Sequence, residues 1–156
     1  MRAEWINPFI EAFHSVMPGI GFESIQKKGV TVQTESIHGD GVAINIGVVG
    51  DVKGSVVYNI EASNAKALAS KMMMGMPVEE INDMSKSALA ELSNMLTAHA
   101  SNNFEQISIQ TNISPPTVLY GEDLWVDMNT EKYLKIEMEA DGILIDIHVA
   151  MQEQAA

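Results

Sequence analysis

Apolar residues recur along this chain with two periods, and the switches between them predict its elements. Over residues 2–17, Trp5, Ile6, Phe9, Ile10, Phe13, Val16 and Met17 return every three or four positions, the spacing of one face of an amphipathic helix. Pro8 must then lie in the first turn, with Asn7 a candidate N-cap, or else kink the helix. Pro18-Gly19 is expected to stop it. Residues 22–36 alternate weakly and carry Val30, Val32 and Thr34, which predicts a strand broken near Lys28-Gly29. Gly39-Asp40-Gly41 reads as a turn. A strand over 42–49 follows, with Val42, Ile44, Ile46 and Val48 on one face. Gly50-Asp51 turns the chain into another strand over 54–60. The short spacings predict that these three strands form an antiparallel meander.

The second half begins with a helix over 64–74, with Ser63 as N-cap and Gly75 and Pro77 beyond its end. A long helix over 85–106 follows, for which Asn82, Asp83 or Ser85 can supply the cap. Residues 107–113 read as a strand, broken by Pro115-Pro116, and 117–121 either continues it or re-enters the sheet. The clearest hairpin pairs 132–140 with 143–151 about Asp141-Gly142. Residues 152–156 read as a frayed tail. The order predicts an α+β fold, an antiparallel β-sheet with helices packed on one face. No linker, low-complexity segment or strong repeat divides it, so a single domain over 1–156 is expected.

The long helix is the most informative stretch. Ser87, Glu91, Asn94 and Ala98 recur at intervals of four, three and four, which places them on one stripe. Leu89, Leu92, Leu96 and Ala100 lie around the other side, with Met95 and His99 between. One flank can be buried while a short polar line is presented on the other.

Composition narrows the function classes. The 156 residues carry 21 acidic and 9 basic side chains, for a net charge of -12. A phosphate backbone or an anionic membrane would be repelled by most of such a surface. The balance favours a partner that offers a local positive group. There is no cysteine, hence no disulfide, thiol nucleophile or thiolate metal site, which fits a cytoplasmic protein. No apolar run reaches the ~18 residues of a membrane span. The first residues, with Glu4 and Glu11, do not read as a signal peptide.

The pattern Glu-x-x-Asn is weak by itself: it occurs at Glu4/Asn7, Glu61/Asn64, Glu79/Asn82 and Glu91/Asn94. Only Glu91/Asn94 has a serine four residues before the glutamate and an alanine four after the asparagine, deep within a helix. Asparagine inside a helix costs roughly 0.5 kcal/mol against alanine. A polar stripe by itself is commonly no more than a solvated face. The small Ala98 would let another molecule's backbone come close.

The stretch Ser87-x-x-x-Glu91-x-x-Asn94, with Pro115-Pro116-Thr117 some twenty residues on, resembles the CheX-type phosphatases of bacterial chemotaxis, within the CheC, FliY and CheX group. Ile6-Asn7-Pro8-Phe9-Ile10, the 50–57 segment GDVKGSVV and the 114–121 segment SPPTVLYG are similar to CheX proteins too. CheC proteins carry two copies of the active helix. Here Glu4/Asn7 lacks the upstream Asp or Ser and has Glu11 where a small residue belongs, which points to CheX.

The resemblance implies a CheC/CheX-like fold and, as substrate, a phosphorylated response regulator of the CheY kind, holding an aspartyl phosphate beside its own Mg2+. It implies that Asn94 orients the attacking water, as a Gln does in GTPases. Glu91 would pair with the regulator's active-site Lys, with Ser87 and Ala98 in the docking surface. No metal or cofactor need come from this chain. A homodimer formed by strand addition is also expected. The alternative from the same fold group is a module that binds a regulator or the flagellar switch and catalyses nothing, as the FliM middle domain does.

Other features have plainer readings. Met72, Met73, Met74 and Met76 fill core gaps, with one or two left exposed. His14, His38, His99 and His148 show no metal-ligand spacing, and His99 reads as a partly buried helix histidine. Asp123, Asp127 and Glu131 show no ligand pattern. Pro115-Pro116 shapes a loop, beside the active helix or away from it.

Overall fold

The apolar stripe of the first helix is buried as its period requires: Phe9, Ala12, Phe13 and Met17 are all sealed in the core. The computed structural model describes residues 2–154. Helix α1 spans Asn7–Ile20, with Pro8 in the first turn, where its missing N–H goes unused. Asn7 is the first helical residue and not a side-chain cap. Pro18-Gly19 does not stop the helix. A proline in the last turn forfeits a single backbone bond, and termination falls to Gly21, whose φ of 115° makes the left-handed C-cap.

The strands are β1 (Ile25–Gln33), β2 (Ile37–Gly50) and β3 (Val52–Glu61), then β4 (Thr111–Ile113), β5 (Thr117–Val126), β6 (Tyr133–Ala140) and β7 (Ile143–Glu153). They form one seven-stranded antiparallel sheet in the order β1-β6-β7-β3-β2, with β4 and β5 both on the outer edge of β2. The β2–β3 and β6–β7 hairpins form as their turns predict. The three-strand meander does not: β1 lies at the far edge, paired with β6. Its connection to β2 is held where Tyr133 Oη donates to Glu35 O at 2.5 Å. Gly39-Asp40-Gly41 is not a turn but an irregularity inside the long β2, opposite β5. The break near Lys28-Gly29 is a register shift between Lys27 and Gly29. Of 152–156, residues 152 and 153 still belong to β7, and 155–156 lie outside the described residues.

Helices α2 (Ala62–Met72) and α3 (Asp83–Glu105) cross one face of the sheet together with α1. Ser63 does not cap α2. Glu61 occupies that position, and the Ser63 hydroxyl donates to its carboxylate at 2.9 Å. Asn82 caps α3 through a capping box with Ser85. Only Thr111–Ile113 of the expected 107–113 strand pairs. Residues before it close the end of α3, where the Ile109 N–H reaches Phe104 O.

Val42, Ile44, Ile46 and Val48 meet Leu89, Leu92, Leu96, Phe104 and the α1 stripe in the main core. The alternating residues Ala43 and Val57 face the other way. With Ile37, Met128, Tyr133 and Ala150 they form a second, smaller cluster. Met72 packs against the main core, while Met74 and Met76 are exposed.

Candidate functional site

The rotation of α3 about its axis decides which side chains the protein presents. Leu89, Leu92, Leu96 and Ala100 bury against the sheet, and so do Ser93 and Thr97. These two buried hydroxyls are satisfied within the helix: Ser93 Oγ donates to Leu89 O at 3.0 Å and Thr97 Oγ1 to Ser93 O at 2.7 Å. Tyr58 of β3 reaches up to Thr97 at 2.7 Å. Burial pushes the Tyr58 hydroxyl well above its ordinary range, partly offset by the Thr97 bond, so it stays protonated. With this flank fixed, Ser87 and Glu91 are exposed and Asn94 and Ala98 half-buried.

Ser87, Ala90, Glu91 and Asn94 form one wall of an open groove of about 490 Å³. The other wall is Ile113, Ser114, Pro115 and Pro116. Ala98, one turn further along, is outside these walls. Among the described residues the ion pairs involve Arg2, Lys28, His38 and Lys135, and none reaches Glu91. The site therefore offers a carboxylate and a neutral amide, one turn apart, beside space that opens outward.

The second wall follows from how β2 shares its edge. Val48 pairs with Ile113 of β4, and Asn45 pairs with Thr117 of β5. Residues 114–116 thus face Ile46 and Gly47, three against two, which forces an outward excursion. The prolines have no N–H to return to the ladder. Ser114 ties the excursion down: its N–H donates to Gly47 O at 2.9 Å, and its hydroxyl accepts from the Gly47 N–H at 2.8 Å and donates to Pro115 O at 3.1 Å. Ala90 and Ser114 are groove residues that sequence reasoning missed. Ala90 follows Ser87 by three on the stripe and could have been found. Ser114 opens the CheX-like 114–121 segment, but nothing local to it shows that its hydroxyl bonds to Gly47.

The histidines lie elsewhere. His99 is half-buried, as expected of a helix histidine, with its Nδ1 enclosed and unpartnered. His38 meets Asp123 at 2.6 Å and stacks on Trp125. His148 is buried against Tyr133. Among the described residues no three His, Asp or Glu side chains converge as a metal site, and no helix is long and apolar enough to cross a membrane.

Residues 42–139 match the family described as chemotaxis phosphatase CheX. The CheY-P phosphatase CheX of Thermotoga maritima is 30% identical over 125 residues, covering 80% of this chain and 80% of that protein. Among solved structures, a CheC-like superfamily protein from Shewanella sp. PV-4 superposes with a TM-score of 0.86 at 20% identity, covering 97% of this chain and 99% of the other. The CheX of the CheX–CheY–BeF3–Mg2+ complex from Borrelia burgdorferi superposes with a TM-score of 0.74 at 24% identity, covering 97% and 100%. At these identities the two structures attest the fold.

Proposed function

The chain belongs to the CheX family of chemotaxis phosphatases, and from that premise we propose that it hydrolyses the aspartyl phosphate of a CheY-like response regulator, with Asn94 and Glu91 as its working groups. The observation that carries this reading is the groove itself. It holds an exposed carboxylate and an amide on adjacent turns, with open space beside them for a second protein.

The division of labour follows from the chemistry. In acyl phosphate hydrolysis a water oxygen attacks phosphorus, the bond from phosphorus to the aspartyl oxygen breaks, and inorganic phosphate and a free carboxylate remain. Most of the barrier is positioning and charge neutralisation. The regulator's Mg2+ supplies the second. The amide of Asn94 supplies the first, holding the water in line while adding no charge near an already anionic centre. The carboxylate of Glu91 takes the regulator's active-site Lys and sets the register of docking. Ser87 and Ala98 extend the contact along the helix. A protein with this role works in the cytoplasm, where its substrate is, and the net charge of -12 leaves nucleic acid and anionic membranes as poor partners.

Catalytic amounts of the protein added to phosphorylated regulator test the reading. Release of phosphate by wild type, lost in Asn94→Ala with binding retained, is the expected result. Stoichiometric binding of the regulator without release would make the chain a binding module. An Asn94→Ala protein as fast as wild type would remove the role given to that amide.

A further inference from the structure

We propose that Pro115 and Pro116 are the second contact wall for the docked regulator, and that Ser114 is a positioning residue that holds this wall at its distance from Asn94. The proposal rests on the reading of the groove given above and adds the residues that shape its far side.

Three observations converge on the 114–116 excursion. It is the one place where β2 passes from β4 to β5, and the extra residue throws the chain out beside α3. Two adjacent prolines, Pro115 exposed and Pro116 half-buried, fix the local φ angles, so their apolar surface is ordered before a partner arrives and little entropy is lost on contact. The Ser114 hydroxyl uses both its donor and its acceptor on the backbone, joining Gly47 of the sheet to Pro115 of the wall. Gly47 fits the same arrangement: a Cβ there would lie 3.3 Å from Ser114 Oγ and crowd the latch. Ser114 and Pro115 are exposed, and neither is in the main core. A hydroxyl committed to two backbone groups at an exposed edge, beside the Ser114 N–H that donates to Gly47 O, sets the shape of the loop more than it stabilises the fold.

A Ser114 whose work is to place the wall predicts a particular kinetic signature. Removing a contact made equally before and during the reaction raises KM and leaves kcat alone. Ser114→Ala is expected to raise KM for phosphorylated regulator about tenfold with kcat little changed. Ser114→Thr keeps the hydroxyl and should restore the wild-type KM. Gly47→Ala and Pro115→Ala disturb the wall from its two sides and should raise KM in the same way, which keeps the test available if Ser114→Ala folds poorly. Unchanged KM in Ser114→Ala and Pro115→Ala proteins of normal melting temperature would overturn the proposal, as would a fall in kcat alone. The same variants are also titrated with beryllofluoride-activated CheY-like regulator. Weakened binding there supports the wall even if wild type releases no phosphate, in which case the phosphatase reading alone fails.

Discussion

Tyr58 Oη and Thr97 Oγ1 lie 2.7 Å apart in the core, and this contact joins the middle of the sheet to the centre of α3. Thr97 spends its proton on Ser93 O, so Tyr58 is the donor to Thr97. The two ends of the bond are therefore unequal. In Tyr58→Phe the Thr97 hydroxyl keeps a partner, and the expected loss is about 1 kcal/mol. In Thr97→Val the phenol is left buried without an acceptor, and the loss rises to roughly 1–3 kcal/mol. Chemical denaturation of the two variants checks the order. Equal midpoints would mean that the bond does not set the helix against the sheet.

The role given to Glu91 is electrostatic and should respond to salt. Glu91→Gln keeps the size of the side chain and removes its charge. The expected fall in kcat/KM is about tenfold or more, the scale of a hydrogen bond to a charged group. Wild-type kcat/KM should decline as salt rises from roughly 0.01 M to 0.15 M, as screening shortens, and the variant's dependence should be flatter. Wild-type efficiency and an unaltered salt profile in Glu91→Gln would rule out pairing with a regulator lysine.

How much of this was legible beforehand depends on the distance along the chain over which each feature is decided. The capping of α3 by Asn82 and the Asp141-Gly142 hairpin are local, and residue types a few positions apart predict them. The stripe Ser87-Glu91-Asn94-Ala98 is local too, because helical period alone aligns it. The place of β1 is not. Its weak alternation suits an edge, but nothing near it announces a partner more than a hundred residues away, as Val30 has in Ile136. The far wall of the groove was hidden for the same reason. Pro115 comes to lie opposite Asn94 because β4 and β5 share one edge of β2, and that sharing appears only once the sheet is assembled.

The outer edge of β5 is where a second copy is expected to pair. Leu119, Tyr120 and Trp125 on this strand are 41%, 47% and 63% exposed, whereas β1, at the opposite edge, shows only Val32 at 61% among its large apolar side chains. An uncovered apolar edge invites another strand. A homodimer through β5 is the expected state, seen by light scattering at micromolar concentration. Leu119→Lys should shift it toward monomer and Val32→Lys should not. A wild-type monomer, or a dimer indifferent to Leu119→Lys, would contradict this.

Acid should destabilise the protein through His148. Burial, and secondly the nearby charge of Lys135, lower its pKa from 6.5 to about 4. Both ring nitrogens are enclosed without a partner, beneath the small cluster that holds Tyr133 and Met128. The unfolded chain takes up a proton on this imidazole near pH 6.5, and the folded chain resists until about pH 4. The unfolded state therefore binds more protons in that window, and stability falls as pH drops through it. The contribution is full above pH 6.5 and amounts to about 3 kcal/mol. Asp146 acts in the opposite sense. Burial raises its pKa, aided by Glu137 and opposed by Lys135, so the folded state takes its proton more readily than the unfolded state does. His148→Phe removes one of these effects and leaves the other. Unfolding free energy measured from pH 7 down to pH 4 should decline less steeply in the variant than in wild type. Parallel curves would show that the His148 imidazole takes up its proton as easily in the folded protein as in the unfolded chain.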